Sequence, residues 1–93
     1  MNIKLLDQKP NSRTIEISDS KYPYLNFKLY FSYNTLIAIK DIDGKLRISE
    51  NIWSNTTGKH LNLINRDKSI RIKRNEFEII SKAILNQLLI KVD

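Results

Sequence analysis

From Phe27 to Tyr33 the chain alternates large apolar or aromatic residues with polar ones, placing Phe27, Leu29, Phe31 and Tyr33 on one face and Lys28, Tyr30 and Ser32 on the other. A period of two marks a half-buried strand and excludes an amphipathic helix, whose apolar residues recur every three or four positions. Asn34-Thr35 offers a turn, and Leu36-Ile37-Ala38-Ile39 follows as an unbroken apolar run. Such a run suits a central strand covered on both faces. Asp43-Gly44 supplies residues that tolerate positive φ, and Leu46 and Ile48 then return toward the core. A β-hairpin is therefore predicted over residues 36–49.

Strand character also precedes this segment. Asn2 to Leu6 reads as a short strand, Lys9-Pro10-Asn11-Ser12 as a turn, and Thr14 to Ser18 as a second alternating strand carrying Ile15 and Ile17. Asp19 to Asn26, with Pro23 between two tyrosines, reads as a loop. Ser69 to Lys73 is expected to form another short strand, with Ile70 and Ile72 inward and Arg71 and Lys73 toward water.

Helical signals come late in the chain. Ser54-Asn55-Thr56-Thr57 offers N-cap residues, and His60-Leu61-Asn62-Leu63-Ile64 gives a short helix its apolar side, although Gly58 weakens the first turn. Asn75 with Glu78 three residues on resembles a capping box. Beyond it, Phe77, Ile80, Ile84 and Leu88 recur at helical spacing, widened by Ile79, Ala83 and Leu85. Strands first and helices last imply an α+β fold: an antiparallel sheet of four to five strands, with a short helix and a C-terminal amphipathic helix packed on one face.

A chain of 93 residues has room for one core, so residues 1–93 are expected to be a single domain. There is no cysteine, so burial of apolar side chains must hold the fold together, and a reducing cytoplasm suits it. No stretch approaches the roughly 18 consecutive apolar residues of a membrane span, and Met1 to Pro10 lacks the apolar core of a signal peptide. A cytoplasmic location with no membrane partner is the expectation.

The net charge of +6 is unevenly placed. Lys59, Arg66, Lys68, Arg71, Lys73 and Arg74 stand against Asp67 alone, so the sixteen residues from Lys59 to Arg74 carry +5. Clustering of this kind is the electrostatic footprint of a polyanion-binding face, and a face kept basic for solubility has the same composition. Immediately before it, Ser54, Thr56, Thr57, Lys59 and His60 form a hydroxyl-rich helix start, where free N–H groups and a partial positive charge can receive phosphate. The candidate phosphate-binding set is therefore Ser54, Thr56, Thr57, Lys59, His60, Arg66, Lys68, Arg71, Lys73 and Arg74, with Tyr30, Tyr33 and Trp53 as candidate stacking residues.

Catalytic chemistry has little support in the sequence. Gly58-Lys59 lacks the upstream glycine of a P-loop and is followed by His60 instead of Ser or Thr, so nucleotide hydrolysis is rejected. A pairing of Ser54 or Thr57 with His60 has no acid at a sensible spacing to orient the imidazole, and Asp41 with Asp43 fits turn chemistry. His60 is the sole histidine and has no visible co-ligand, so no metal site and no cofactor is expected.

Two blocks, Ser32-Tyr33-Asn34-Thr35-Leu36-Ile37-Ala38 and Trp53-Ser54-Asn55-Thr56-Thr57-Gly58-Lys59-His60-Leu61-Asn62, resemble a family of small uncharacterised domains of bacteriophages and mobile elements. The family pattern is Ser-Tyr-x-Thr-x-Ile-Ala followed by Trp-Ser-x-Thr-Thr-x-Lys-His-x-Asn. The resemblance brings no activity. It implies a phage or mobile-element origin, in keeping with the 36 isoleucine, lysine and asparagine residues, whose codons are rich in A and T. It also implies that Tyr33 and Thr35 lie near the turn from Trp53 to Asn62.

Two functions are expected from these features. The first is a non-catalytic module binding DNA or RNA. The alternative is a phage-encoded anti-defence protein, for example an anti-CRISPR inhibitor, that docks on an acidic or nucleic-acid-binding host protein in the cytoplasm of the infected or element-carrying cell. A weaker third reading is an assembly component that self-associates through a sheet edge.

Overall fold

The computed structural model describes residues 2–92, apart from the side chains of residues 23, 24 and 87–92. Its elements are β1 (Asn2–Lys9), β2 (Ser12–Asp19), β3 (Tyr22–Ser32), β4 (Thr35–Lys40), β5 (Leu46–Ser49), α1 (Asn55–Ile64), a 3₁₀ turn (Lys68–Ile70), β6 (Arg71–Ile72) and α2 (Arg74–Val92). The strands form one sheet of six, in sequence order. The first five are antiparallel to their neighbours, while β6 runs parallel to β5. The expected α+β class is found, with a mixed six-stranded sheet in place of four to five antiparallel strands. A parallel neighbour requires a crossover, and α1 provides it between β5 and β6.

β4 is the strand covered on both faces. Its successive residues Ala38 and Ile39 are both fully buried but belong to different clusters. Ile39 packs with Ile17, Leu25, Phe27, Leu29 and Phe77 of α2, whereas Ala38 packs with Ile37, Ile48 and Leu61 of α1. Because alternate side chains of a strand point to opposite faces, the two helices cover opposite faces of the sheet. This corrects the expectation that the helices share one face. Apolar residues over 36–39 have no alternation because both sides of the strand are dry.

Local chemistry explains the other departures from the sequence reading. Of the residues expected to form a loop from Asp19 to Asn26, only Ser20 and Lys21 form a turn; Asp19 ends β2 and Tyr22 to Asn26 are drawn into β3, with a register shift between Ser18↔Asn26 and Asp19↔Tyr22. Leu25 lies within this shift and is buried in the core. Tyr33 was expected to continue the strand's apolar face, but it is an exposed turn residue with φ 55°, its N–H donating to Asn11 O. In the β4–β5 connection, Asp41 Oδ1 accepts from the N–H groups of Asp43 and Lys45, and Gly44 adopts φ 78°. The Asp-Gly signal thus closes a five-residue loop with its glycine in the left-handed position.

α2 begins at Arg74 and not after Asn75. The N–H of Arg74 donates to Glu50 Oε2 at 2.8 Å, so a carboxylate from the end of β5 caps the helix in place of the local box. Phe77 is fully buried and Ile84 and Leu85 pack beside it, but Ile79 is 69% exposed and points away from the sheet. The side chain of Leu88, expected in the same stripe, lies outside the described residues.

Candidate nucleic-acid interface

α1 is positioned by side chains of the turn before it. Asn51 Oδ1 accepts from Trp53 N–H at 3.0 Å and Asn51 Nδ2 donates to Ser54 O at 3.1 Å, so this residue forms the turn that launches the helix. Ser54 occupies the N-cap with extended backbone, but its hydroxyl makes no cap bond. Thr57 and Leu61 are buried against the sheet, as the helical period requires of residues four apart. Ser32 Oγ of β3 lies 3.0 Å from Thr57 Oγ1 and 2.6 Å from His60 Nδ1, and the rings of Tyr33 and His60 are 6.2 Å apart. Thr57 and His60 therefore bond inward to Ser32, with Thr57 buried and His60 half-buried. Ser32 is only 2% exposed, so its closeness to His60 gives no substrate an approach.

The opposite side of α1 presents Asn55, Lys59 and Asn62, all exposed. After the helix, Asn65 Oδ1 accepts from Asp67 N–H, and Asp67 Oδ1 accepts from both the N–H and the hydroxyl of Ser69. These bonds fold the chain into its 3₁₀ turn and bring Lys68 and Arg71 beside α1. Arg71 Nη2 donates to Asn62 Oδ1 at 3.0 Å and Asn65 O at 3.1 Å. Arg71 thus sits half-buried beside the helix, a correction to its expected projection into water. A cleft of about 640 Å³ results, lined on the helix by Asn55, Gly58, Lys59 and Asn62 and opposite by Glu50, Asn51, Lys68 and Arg71. A shallower hollow of about 560 Å³ shares Lys59, Asn62 and Lys68 with it and adds Leu63 and Arg66.

Four cations face this surface: Lys59, Arg66, Lys68 and Arg71. The acids nearby are occupied. Glu50 holds the N-terminus of α2, and the Ser69 hydroxyl and N–H hold the Asp67 carboxyl below its ordinary pKa. Among the described residues none of these four cations is in an ion pair, and the amides of Asn55 and Asn62 stand beside them. Among the described residues no cluster of three or more His, Cys, Asp or Glu can hold a metal ion.

Residues 3–79 match the model of a family of unknown function, DUF8033. The chain belongs to the DUF8033 family. The match runs from the second residue of β1 through β6 and α1 into the first six residues of α2. No curated protein and no solved structure matches the chain.

Other residues singled out in this DUF8033 chain lie away from the cleft. Arg74 donates from Nη1 to Leu36 O at 2.9 Å, pairs through Nε with Glu78 at 3.0 Å, and rests between the rings of Trp53 and Phe77, 4.9 and 5.1 Å from their centroids. These contacts tie Arg74 to the fold. Trp53 is 39% exposed with Arg74 over its ring. Tyr30 packs against the α1-side core, and burial raises its pKa. Tyr33 stands at the β3–β4 turn, and Ser54, Thr56 and Lys73 line neither hollow of the cation surface. The DUF8033 cleft also contains residues that the charge count does not reveal: Glu50, Asn51, Asn55 and Asn62. Asn55, Lys59 and Asn62 do follow the i, i+4, i+7 spacing of one helix face, a polar stripe visible once the apolar face is assigned.

Proposed function

We propose that this DUF8033 protein is a non-catalytic nucleic-acid-binding module whose contact surface is the cleft between α1 and the 3₁₀ turn. The observation that supports the reading is the convergence of Lys59, Arg66, Lys68 and Arg71 on one surface with the amides of Asn55 and Asn62. Lysine and arginine neutralise phosphates and release condensed counterions, while amides donate to phosphate, sugar or base edges. No described helix is long and apolar enough to cross a membrane, and the proposed setting is the cytoplasm of a phage-infected or element-carrying cell. The test is binding of a fluorescent oligonucleotide at rising salt. Four phosphate contacts give a slope of log K on log salt of about −3 to −4, or a loss of about 10² in affinity between 50 and 200 mM salt. Affinity indifferent to salt defeats the proposal.

A second reading, a phage-encoded anti-defence inhibitor acting on a host protein, is favoured by a different feature. β1 is the outermost strand, all eight of its residues are exposed, and Ile3, Leu5 and Leu6 are among them. An edge of this kind can accept a partner strand. Affinity capture from nuclease-treated host lysate separates the readings. One stoichiometric protein, lost with Leu5→Pro, supports the inhibitor, and recovery of nucleic acid alone opposes it.

A further inference from the structure

α1 stands on the sheet as a ridge with a hollow on each side. One hollow is the cation cleft, whose outer wall carries Lys68 and Arg71. The other, about 370 Å³, lies between His60, Leu63 and Ile64 of the helix and the β1–β2 hairpin, which contributes Lys9, Arg13 and Asp7. The crest between them is Asn55, Lys59, Asn62 and Leu63, with Leu63 72% exposed and no acid in the helix. A helix is about 10–12 Å across with its side chains, and the major groove of B-form DNA is about 12 Å wide.

We infer that α1 enters the major groove of duplex DNA, its crest against base edges and the cations of the two hollows against the two phosphate strands. The inference rests on the nucleic-acid reading and names duplex DNA as its ligand. Three features favour a duplex read from this groove. Asparagine amides and a lysine ammonium match the acceptor and donor edges of adenine and guanine, and an exposed leucine matches the thymine methyl. Arg71 Nη2 donates to Asn62 Oδ1, which fixes that amide and leaves its Nδ2 with no hydrogen-bond partner among the described residues. Among the described residues no aromatic side chain lines the cation cleft, and Tyr30 and Phe31, which line the second hollow, are half-buried against the core, so neither hollow presents the exposed stacking platform that single-strand binders use. Duplex RNA is a poorer fit because its major groove is deep and narrow.

The test compares the full chain on a 20-base-pair DNA duplex, the matching single strand and the matching RNA duplex, and selects sites from a random duplex pool. Duplex DNA is expected to bind about tenfold tighter than either alternative, and methyl green, which occupies the major groove, is expected to displace the protein where netropsin in the minor groove does not. Asn55→Ala and Asn62→Ala should each reduce preference for the selected site about tenfold with the salt slope unchanged. Lys68→Ala should weaken binding to every sequence and lower the slope by about 0.9. Equal affinity for single strands, displacement by netropsin, or selection of no preferred site overturns this inference while leaving the nucleic-acid reading in place. Failure to bind any nucleic acid at low salt overturns both.

Discussion

Ser32 Oγ and His60 Nδ1 lie 2.6 Å apart, a side-chain bond that joins the last residue of β3 to the middle of α1 with Thr57 Oγ1 as a third member at 3.0 Å. The bond sits under the helix, away from the cleft lined by Lys59, Lys68 and Arg71. Ser32→Ala removes the shared partner and leaves the Thr57 hydroxyl and the imidazole to find others in a nearly dry site. A loss of about 1–3 kcal/mol in denaturant unfolding is expected. Oligonucleotide affinity of the folded variant should stay within about twofold of the parent, whereas a phosphate-facing His60 would lower it more than that on His60→Gln.

Glu50 serves the fold and opposes the ligand. Its Oε2 caps α2 through Arg74 N–H, and its side chain also lines the cation cleft. Glu50→Gln keeps a side chain of the same length but gives up the charge that favours a helix N-terminus. Stability should fall by about 1 kcal/mol. Oligonucleotide binding should tighten at low salt, because an acid has left a surface that receives phosphate. Thermal melts and salt titrations on one variant therefore move in opposite senses, and weaker binding would place Glu50 outside the contact surface.

The antiparallel centre of the sheet was legible in the sequence because its signals are local, whereas the count of six strands and the parallel pairing of β6 with β5 were not. Alternation over Phe27 to Phe31, the apolar run before Lys40 and the Asp-Gly turn each depend on residues a few positions apart. The cap of α2 was not legible, since Asn75 and Glu78 make a plausible box and the carboxylate that does the capping comes from Glu50, 24 residues earlier. Gly58 carries a similar lesson. It weakens the helix by propensity, but a Cβ there would stand 3.0 Å from Asn51 Nδ2, the group that donates to Ser54 O and sets the helix start. The site divides along the same line. Charge clustering named Lys59, Arg66, Lys68 and Arg71, which line the two adjoining hollows, while the inward bonds of Thr57 and His60 and the contacts of Arg74 depend on Ser32, Leu36 and Trp53, residues distant in sequence.

Asp67 provides a test by pH. The Ser69 hydroxyl and then its N–H favour the carboxylate and lower its pKa. A carboxyl with a folded pKa below its unfolded one contributes stability that is present above the unfolded value and is lost as the pH falls through the folded value. Because Asp67 is fully exposed, the effect is local to the 3₁₀ turn. The Ser69 amide resonance should titrate with a midpoint under the ordinary carboxylate range, and Ser69→Ala should bring the Asp67 midpoint back toward that range. An Asp67 midpoint unchanged by Ser69→Ala would show that the hydroxyl bond is not the main cause.

Arg74 and Lys68 are both cations of the basic segment, yet they are predicted to fail in different ways. Arg74 lies between Trp53 and Phe77 and donates to the carbonyl of Leu36, whereas Lys68 is exposed at the rim of the cleft. Arg74→Ala removes a desolvated cation–π contact and strands a carbonyl, so it should cost about 2–3 kcal/mol in unfolding free energy. Arg74→Lys keeps the charge but loses the planar fork that reaches Leu36 O and Glu78 together, and it should restore only part of that stability. Neither variant should change the salt slope of oligonucleotide binding while folded. Lys68→Ala should do the reverse, leaving unfolding within about 0.5 kcal/mol of the parent while reducing the slope by about 0.9. If Arg74→Lys preserved stability and Arg74→Ala lowered the slope, Arg74 would belong with the phosphate contacts after all, and its bonds to Leu36 and Glu78 would have to open on binding.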